Sequence, residues 1–539
     1  MGAKDDPAEA LHWWRGAVLY QIYPLSFMDA DGDGYGDLAG AASRLDHLAT
    51  LGVDGVWLSP FFASPMKDFG YDVSDYKAVD PRFGTLADFD ALVARAHGLG
   101  LKVVIDQVWS HTSDQHPWFV ESAASRENAR SDWYVWADAR DDGTPPNNWL
   151  ASFGGPSWTW GPRRRQYYLH NFLTEQPDLN YWNPDVQDAI LDVARFWLDR
   201  GVDGFRLDVI NYLIHDRSLA DNPIAPHAGP PALPTRFQRH IHDRSRPETL
   251  GFVSRLRAVM DAYPGRMSVG EVVDEPALPR QIEYTAGADR LHTAYSFHLL
   301  SAQRATPELF AEAISSWVGA NGWPSWSLGN HDVARFATRL GGDNPAHVRV
   351  LMAVLMTLPG TIFLYQGEEL GLPQAEVPFE RLADPFAIAA WTGGAGRDGA
   401  RTPIPWTAEG PNAGFSAASD TWLPLDPLHR PLAVDRQCAD EDSMLAFTRR
   451  LVALRKASPP LRIGAAAIAP APDGVLAFTR GQKGDRLLCV FELAGAAAEF
   501  ALPGPCDVMV ALRGRERVEG DWLALPAFGG AVLRLDTPA

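Results

Sequence analysis

Short runs of β-branched and aromatic residues recur along the chain, with helix-like stretches between them. Most of these runs are almost continuously apolar, as expected for parallel strands that are covered on both faces. A helical period is clearest over residues 86–98, 186–200 and 247–263. The alternation predicts an α/β fold, a (β/α)8 TIM barrel. Its predicted strands are residues 17–24, 53–60, 101–108, 202–209, 267–272, 292–297, 325–329 and 361–365.

The spacing of these strands predicts two long excursions. Asp106 and Asp208 are 102 residues apart, whereas one βαβ step takes roughly 30 to 40 residues. We therefore expect an inserted, irregular lobe rich in Trp, Tyr, Pro and Gly after the third strand, over the mouth of the barrel. The second excursion, residues 211–247, is predicted to form a lid-like loop on the same face of the barrel as the inserted lobe.

A change of pattern near the C-terminal end predicts a separate unit. Pro459 and Pro460 interrupt the helical pattern, and short apolar runs with Gly-rich turns follow, which is typical of an antiparallel β-sandwich. The predicted organisation is a catalytic barrel at 1–110 and 184–456, an inserted subdomain B at 111–183, and a C-terminal β-sandwich at 457–539.

Composition and charge narrow the classes of function. The chain has 539 residues, of which 46% are hydrophobic and 21% charged, which is typical of a folded protein with a large core. The formal net charge of −19 disfavours binding to nucleic acids and to anionic membranes. The three cysteines, Cys438, Cys489 and Cys506, lie in the last fifth of the chain without C-x-x-C spacing, so a disulfide scaffold and a zinc site of that type are not expected.

Two observations bear on targeting. Residues 350–367 are uncharged, but Pro359 and Gly360 divide them into a helix-like half and a β-rich half, which predicts a buried helix followed by a buried strand and no membrane span. Residues 1–14 contain no apolar run typical of a signal peptide. We expect a cytoplasmic protein.

Four acidic residues lie at or just beyond the ends of predicted strands: Asp106, Asp208, Glu271 and Asp332. In a parallel barrel the reacting groups project from these carboxyl ends, so the four side chains are predicted to converge. A single acid there is more often a helix cap or an ion-pair partner. Converging carboxylates either bind a hard metal ion or divide the acid and nucleophile roles in glycoside cleavage.

The neighbouring residues favour glycoside cleavage. Arg206 lies two residues before Asp208, on the same side of its strand, where its charge would keep Asp208 ionised. The apolar neighbours of Glu271 should raise its pKa toward that of a general acid. His111 and His331 adjoin two of the acids, which favours hydrogen bonding to sugar hydroxyls, since H-E-x-x-H metal spacing is missing.

These motifs resemble, in order and spacing, the four signature regions of the α-amylase superfamily of retaining glycoside hydrolases (glycoside hydrolase family 13). A further segment, Gln-Pro-Asp-Leu-Asn at 176–180, is similar to a region of the branch that contains α-glucosidases and oligo-1,6-glucosidases. The four motifs are Asp-Gln-Val-Trp-Ser-His (106–111), Gly-Phe-Arg-Leu-Asp (204–208), Gly-Glu-Val (270–272) and Asn-His-Asp (330–332).

The resemblance implies a role for each matching residue. Asp208 would be the nucleophile, Glu271 the acid that later becomes the base, and Asp332 a group that binds sugar hydroxyls and favours the distorted ring. Tyr71 would stack on the bound glucose, and Asp72 with Arg397 would hold its non-reducing end. Such a closed pocket implies exo-action. The remaining residues implied to line the glucose subsite are Asp106, His111, Arg206 and His331.

Departures from the family pattern leave linkage preference open. Ser110 stands where the family usually has Asn, in a supporting position. Val209 resembles enzymes that accept α-1,6 bonds, whereas residues 211–216 and 221–223 are more similar to α-1,4-preferring α-glucosidases. We favour an α-glucosidase acting on maltose-like substrates, with transglucosylation as an accompanying activity.

The alternatives are an oligo-1,6-glucosidase, a sucrose- or trehalose-active relative, and a non-catalytic transporter subunit. No Arg-Leu-Asp-Arg-Asp stretch, typical of sucrose isomerases, follows Asp332. A transporter subunit would have a transmembrane segment and would have lost the carboxylates, and the sequence shows neither.

An acidic segment near the N-terminal end is a candidate metal site. Its acids alternate as in an EF-hand loop, but Gly40 stands where that loop needs a bidentate Glu. One interpretation is a solvated acidic turn. The family resemblance instead implies a structural calcium, with magnesium as the alternative ion and no organic cofactor. The implied ligands are Asp29, Asp31, Asp33, the Tyr35 carbonyl and Asp37.

Two aromatic residues near the predicted mouth, Phe172 and Phe297, are candidates for packing against a sugar ring or an aglycone, or else for filling the core. The expected partner is a small oligosaccharide or α-glucoside, with no nucleic acid and no membrane. The expected assembly is a monomer or a homodimer.

Overall fold

The computed structural model describes residues 12–226, 237–390, 396–482 and 484–536. All eight predicted strands form one parallel sheet, in the order sixth, fifth, fourth, third, second, first, eighth, seventh. A parallel bridge between Ala294 and Pro324 joins the sixth strand to the seventh and brings the sheet into a barrel. The barrel strands are Val18–Ile22, Gly55–Leu58, Lys102–Gln107, Gly204–Leu207, Met267–Val272, Thr293–Ser296, Ser325–Trp326 and Thr361–Tyr365.

Helices connect the strands as the apolar periodicity predicted. The helix predicted at 86–98 spans Leu86–Gly98, and Thr85 and Asp88 form a capping box at its start. The other two predicted helices begin and end within two residues of their predicted limits. The barrel helices are Leu38–Ser43, Leu45–Leu51, Leu86–Gly98, Pro184–Asp199, Thr249–Asp261, Ala277–Thr285, Pro307–Ser315, Pro345–Thr357 and Met444–Ala457.

The uncharged stretch at 350–367 contains the end of a barrel helix and the eighth strand, as predicted. Pro345–Thr357 is buried over most of its length, and Thr361–Tyr365 is buried throughout. Among the described residues, no helix is both long and apolar enough to cross a membrane.

The segment between the third and fourth strands contains more regular structure than predicted. Pro117–Ala124 is a helix, and three strands, Trp136–Ala137, Trp158–Gly161 and Gln166–Leu169, form an antiparallel sheet. The strands have two to four residues, too few for their alternation to stand out in the sequence. Trp158, the first residue of one of these strands, packs in one buried cluster with Trp149.

The predicted loop at 211–247 contacts this lobe, although its residues 227–236 lie outside the described part. Asn148 donates to the Asn222 carbonyl (2.9 Å) and accepts from the Asn222 amide (2.8 Å).

Outside the barrel wall, Phe62–Ala63 pairs with Asp75–Val79. Short helices are Pro24–Phe27, Phe297–Leu300, Phe336–Arg339, Pro385–Ala390, Val434–Cys438 and Pro459–Ile463.

The C-terminal part consists of two antiparallel sheets that share one core, as expected for a β-sandwich. Val475, Leu488 and Leu533 from the larger sheet pack with Phe500 and Leu523 from the smaller one. The larger sheet contains Ala465–Ile468, Val475–Gln482, Asp485–Glu492, Cys506–Ala511 and Gly530–Leu535; the smaller contains Ala498–Ala501, Arg517–Glu519 and Trp522–Leu525.

A buried arginine joins the last barrel helix to the turn before the eighth strand. Arg455 donates to the carbonyls of Gly16 (3.1 Å), Met356 (2.8 Å), Leu358 (3.0 Å) and Gly360. The last carbonyls of a helix have no partner within that helix, so Met356 and its neighbours need an external donor. The guanidinium supplies donors to several chain segments at once.

Replacing Arg455 with Met should therefore destabilise the fold. The substitution keeps much of the volume but leaves several buried carbonyls unpaired, at a cost of about 3 kcal/mol. We expect a melting temperature several degrees lower by calorimetry. Arg450→Met, at an exposed position of the same helix, is the control. Equal melting temperatures for the two variants would contradict this role.

Candidate active site

A cavity of about 260 Å³ opens at the carboxyl ends of the barrel strands. It contains all three predicted catalytic residues, from the fourth, fifth and seventh strands or the turns that follow them. Tyr71, His111, Phe172, Phe297 and Arg397, all predicted from the sequence, also line it. The lining residues are Asp68, Tyr71, His111, Ser152, Phe153, Phe172, Gln176, Asp208, Val209, Tyr212, Glu271, Val273, Phe297, Asp332, Phe386 and Arg397.

The base of this cavity is organised around Arg206, which is fully buried. Its Nη1 lies 2.6 Å from Asp208 Oδ1 and 2.9 Å from Asp106 Oδ1, and its Nη2 lies 2.7 Å from Glu271 Oε2. Tyr295 accepts from Nε (3.0 Å) and Nη2 (2.8 Å). One guanidinium thus brings together the three acids predicted at the ends of the third, fourth and fifth strands.

The three carboxyl groups share too little positive charge to be ionised together. Burial raises the pKa of Glu271 to about 8, that of Asp208 to about 7 and that of Asp106 to about 6, although Arg206 opposes each shift. The sequence analysis expected the charge of Arg206 to keep Asp208 ionised; Arg206 does act to lower the pKa of Asp208, but burial outweighs the guanidinium and the pKa lies above its ordinary value. Glu271 still has the highest pKa of the three acids, so it keeps its proton to the highest pH, as a general acid requires.

Asp332 has a different electrostatic environment on the opposite side of the cavity. Its Oδ1 lies 3.0 Å from Arg401 Nη2 and 3.4 Å from Arg397 Nη1, and its Oδ2 lies 3.2 Å from His331 Nε2. Burial acts to raise the pKa of Asp332, but the charges of Arg401 and Arg397 hold it well below the ordinary value. Asp332 is therefore an ionised hydrogen-bond acceptor facing the cavity.

Tyr71 and the two histidines form one side of the site. The Tyr71 ring stacks on the His331 ring at 5.2 Å and 5°, and its hydroxyl donates to Asp106 (3.0 Å). Burial lowers the pKa of His111 to about 4 and that of His331 to about 3, so both rings are neutral near pH 7. Ser110 Oγ lies 2.8 Å from His111 Nδ1, so the serine supplies local support where the family pattern has Asn.

The predicted pairing of Asp72 with Arg397 is wrong. Arg397 Nη2 instead lies 2.7 Å from Asp68 Oδ1 and 2.8 Å from Asp384 Oδ1. Asp72 is fully buried and accepts from the amides of Lys67 (2.9 Å) and Asp68 (3.0 Å), so it organises the turn that presents Asp68. Both acids belong to one short segment, and the sequence alone did not reveal which faced the cavity.

An aromatic wall, Phe386, Phe153, Phe172 and Tyr212, lines another side of the cavity. Phe153 contacts Phe386 at 5.8 Å and Phe172 at 5.7 Å, and Phe172 stacks on Tyr212 at 5.7 Å and 21°. Only Phe172 of these was predicted. Phe153 lies in a loop, Phe386 in the short helix Pro385–Ala390 and Tyr212 in the turn Ile210–Tyr212, and no local signal separated their side chains from aromatic residues that fill the core.

Residues that the sequence analysis did not assign to the site also line the cavity. Gln176, quoted above only as part of the Gln-Pro-Asp-Leu-Asn motif, donates to Asp68 Oδ2 (3.2 Å) and lies 3.1 Å from His111 Nε2. Tertiary folding brings it to these partners from the end of the inserted lobe. Apart from the aromatic wall, the other lining residues that were not predicted there are Asp68, Ser152, Val209 and Val273.

Three of the five predicted metal ligands lie together in the acidic segment. Carboxylate oxygens of Asp29, Asp31 and Asp37 are within 4.8 Å of one another. Asp33 instead accepts from the Tyr35 amide (2.8 Å). Burial raises the pKa of Asp37, and burial together with neighbouring acids raises the pKa of Asp31. Clustered carboxylates are a donor set that suits a hard cation.

Comparison with protein families agrees with this geometry. The model described as "Alpha amylase, catalytic domain" matches residues 21–464. The chain belongs to the α-amylase family. This member of the family is a glycoside hydrolase, and the eight-stranded barrel with its C-terminal antiparallel sheets has the architecture of its structural neighbours.

Curated relatives of this α-amylase family member are named α-glucosidases and maltases. A "Probable alpha-glucosidase" of Rhizobium meliloti (strain 1021) is 52% identical over 91% of each chain. "Maltase 1" of Drosophila virilis is 38% identical over 89% of this chain and 78% of its own.

Solved structures extend the comparison to other reactions. The α-glucosyl transfer enzyme XgtA has a TM-score of 0.94 and 51% identity, over 97% of this chain and 99% of its own. The trehalulose synthase MutB from Pseudomonas mesoacidophila MX-45 has a TM-score of 0.90 and 30% identity, over 99% and 100%.

The pKa order predicts a bell-shaped dependence of kcat/KM on pH. Activity should fall as the pH drops through about 7, because Asp208 becomes protonated, and should fall as the pH rises through about 8, because Glu271 loses its proton. With α-glucosyl fluoride, whose leaving group needs little protonation, the alkaline limb should weaken. An alkaline limb of equal position and depth for both α-glucosyl fluoride and maltose would contradict the assignment.

Proposed function

We propose that the protein is an exo-acting, retaining α-glucosidase that releases α-glucose from the non-reducing end of short, maltose-like α-glucosides. The observation that carries the proposal is the contact of one buried guanidinium, that of Arg206, with both Asp208 and Glu271 at the base of the cavity. The α-glucosidase and maltase relatives support the same substrate class.

In the first displacement, Asp208 attacks the anomeric carbon while Glu271 donates its proton to the glycosidic oxygen. The leaving sugar departs as a neutral alcohol, and a covalent glucosyl ester forms on Asp208. Glu271 becomes a carboxylate at this moment. Arg206 and the Val209 amide, which donates to Glu271 Oε2 (3.1 Å), stabilise that charge.

In the second displacement, Glu271 takes a proton from water, and the resulting hydroxide equivalent attacks the same carbon. The ester bond to Asp208 breaks, Asp208 returns as a carboxylate, and glucose leaves with the α-configuration. An alcohol in place of water gives transglucosylation. The aromatic wall offers an apolar surface for such an acceptor, which supports transfer as an accompanying activity.

Exo-action follows from the groups around the proposed glucose site. Asp332 accepts from sugar hydroxyls, and the Asp68–Arg397 ion pair closes the side where a longer chain would continue. In this proposal Arg397 holds the non-reducing end together with Asp68, its ion-pair partner. Asp106, Arg206 and His331 support the groups that face the cavity.

The experiment combines two variants with a substrate that needs no acid. Asp208→Asn should lower kcat/KM for maltose and α-glucosyl fluoride by about 10³-fold or more, because the nucleophile is lost. Glu271→Ala should lose maltose cleavage yet react with α-glucosyl fluoride, and added azide should yield α-glucosyl azide. Formation of β-glucosyl azide by Glu271→Ala would contradict a double displacement.

The wild-type product profile is the control for linkage and reaction type. Maltose should be cleaved about tenfold or more faster than isomaltose. Equal rates would favour the oligo-1,6-glucosidase alternative. Conversion of sucrose to an isomer, without release of glucose from maltose, would favour the isomerase-like relatives.

We also propose that Asp29, Asp31 and Asp37 hold a structural calcium ion, with magnesium as the alternative. The ion would hold the acidic segment in its folded conformation and would take no part in the reaction. Asp29 already accepts from the amides of Gly32 (2.6 Å) and Gly34 (2.8 Å), and Asp37 from that of Gly40 (2.6 Å). Asp31 is exposed, so its removal disturbs the fold least.

Calcium should raise the melting temperature relative to a chelator by a few degrees, because an ion that binds only the folded state stabilises it. Asp31→Asn should remove this increase, while Asp141→Asn, an exposed acid of the inserted lobe, should retain it. The same melting measurements with magnesium show which of the two ions stabilises the protein more. Equal melting temperatures with calcium and with chelator would contradict the site.

A further inference from the structure

We propose that Asn211 is a positioning residue that sets the spacing between the nucleophile Asp208 and the acid Glu271. The inference rests on the proposed double displacement. It concerns a fully buried side chain outside the cavity lining. Asn211 therefore acts through the backbone of its neighbours, without contact with the sugar.

The backbone ladder between the fourth and fifth strands ends just before the two reacting acids. The fourth and fifth strands pair in parallel from Gly204 with Met267 to Leu207 with Gly270. Asp208 and Glu271 are the next residues on the two strands, just beyond the last ladder pair. Backbone pairing between these strands consequently stops one residue short of the two groups whose separation decides the reaction.

Asn211 restores a connection between the same two chain segments. Its Oδ1 accepts from the Val273 amide (3.1 Å), and its Nδ2 donates to the Val273 carbonyl (2.8 Å). Nδ2 also donates to Ser245 Oγ (2.9 Å). The side-chain amide thus pairs with both backbone groups of Val273, two residues after Glu271, as a neighbouring strand would.

The turn between Asp208 and Asn211 is itself rigid and closely packed. Val209 has φ 32° and ψ 50°, a left-handed conformation that is costly for a β-branched residue and persists only where its surroundings enforce it. Its amide points to Glu271 Oε2, and its carbonyl accepts from the Tyr212 amide (2.8 Å). A Cβ at Gly270 would lie 2.5 Å from the Leu291 side chain and 3.0 Å from that of Ile210, so the glycine permits both side chains to pack against this strand.

These contacts form one connected unit. Arg206 links Asp208 and Glu271 by charge, and Asn211 links their chain segments by hydrogen bonds to Val273. Without the Asn211 amide, the Val273 amide and carbonyl lose their partner, and the end of the strand that bears the acid Glu271 is free to shift relative to Asp208. A displacement of about 1 Å in such a site costs on the order of 10²-fold in rate.

The test compares kcat/KM for maltose with kcat/KM for α-glucosyl fluoride in each variant. Both report on the first displacement, but only maltose needs a well-placed proton from Glu271. Asn211→Ala should lower the maltose value about 10²-fold and the fluoride value about tenfold or less. Asn211→Asp, which keeps the acceptor for the Val273 amide but loses the donor to its carbonyl, should give intermediate values in the same direction.

Asn222→Ala is the matched control. Asn222 is also buried, lies in the same excursion, and accepts from the amides of Ile241 (3.2 Å) and His242 (3.1 Å). Its loss should leave the maltose-to-fluoride ratio unchanged.

Equal losses with both substrates in Asn211→Ala and Asn211→Asp would overturn the proposal, since a purely structural role lowers both in proportion. If Asn211→Ala does not fold, the ratio of the maltose value to the fluoride value in Asn211→Asp decides whether the proposal holds. If the wild type releases glucose from neither substrate, the proposed function fails, which is a different outcome from an unchanged ratio in an active enzyme.

Discussion

Three buried carboxylates around one buried guanidinium constrain the rest of the site. Asp106, Asp208 and Glu271 would carry three negative charges where Arg206 supplies one positive charge, so full ionisation of the cluster is opposed by both burial and repulsion. A retained proton is the consequence of this imbalance, and Glu271 is the group that holds it most strongly. The same imbalance that disfavours ionisation provides a general acid near neutral pH.

The cavity separates this proton-retaining cluster from a second one, in which two guanidiniums, those of Arg397 and Arg401, face Asp332. Asp332 lies among Arg397, Arg401 and His331 and stays ionised, so two acids facing one small cavity differ in protonation because their neighbours differ. Rigid connections preserve the arrangement: the parallel ladder ends just before Asp208 and Glu271, and Asn211 continues it through Val273.

Much of the fold could be predicted from the sequence, because each barrel strand is a buried apolar run and acids follow several of these runs. The short strands of the inserted lobe left too few residues for a pattern. The family resemblance pointed to Asp72, and only the folded turn shows that Asp72 accepts backbone amides while Asp68 lines the cavity. Phe153, Tyr212 and Phe386 reach the cavity through tertiary packing, which no local motif encodes.

The central claim is that Asp208 and Glu271 act on opposite sides of one anomeric carbon in two successive displacements. The most direct measurement is proton NMR of the glucose released from p-nitrophenyl α-glucoside, whose leaving group is not a sugar, recorded before mutarotation equilibrates the anomers. The account predicts that α-glucose appears first and that the β-anomer grows in only with mutarotation. Initial release of β-glucose would show a single displacement and would contradict the account.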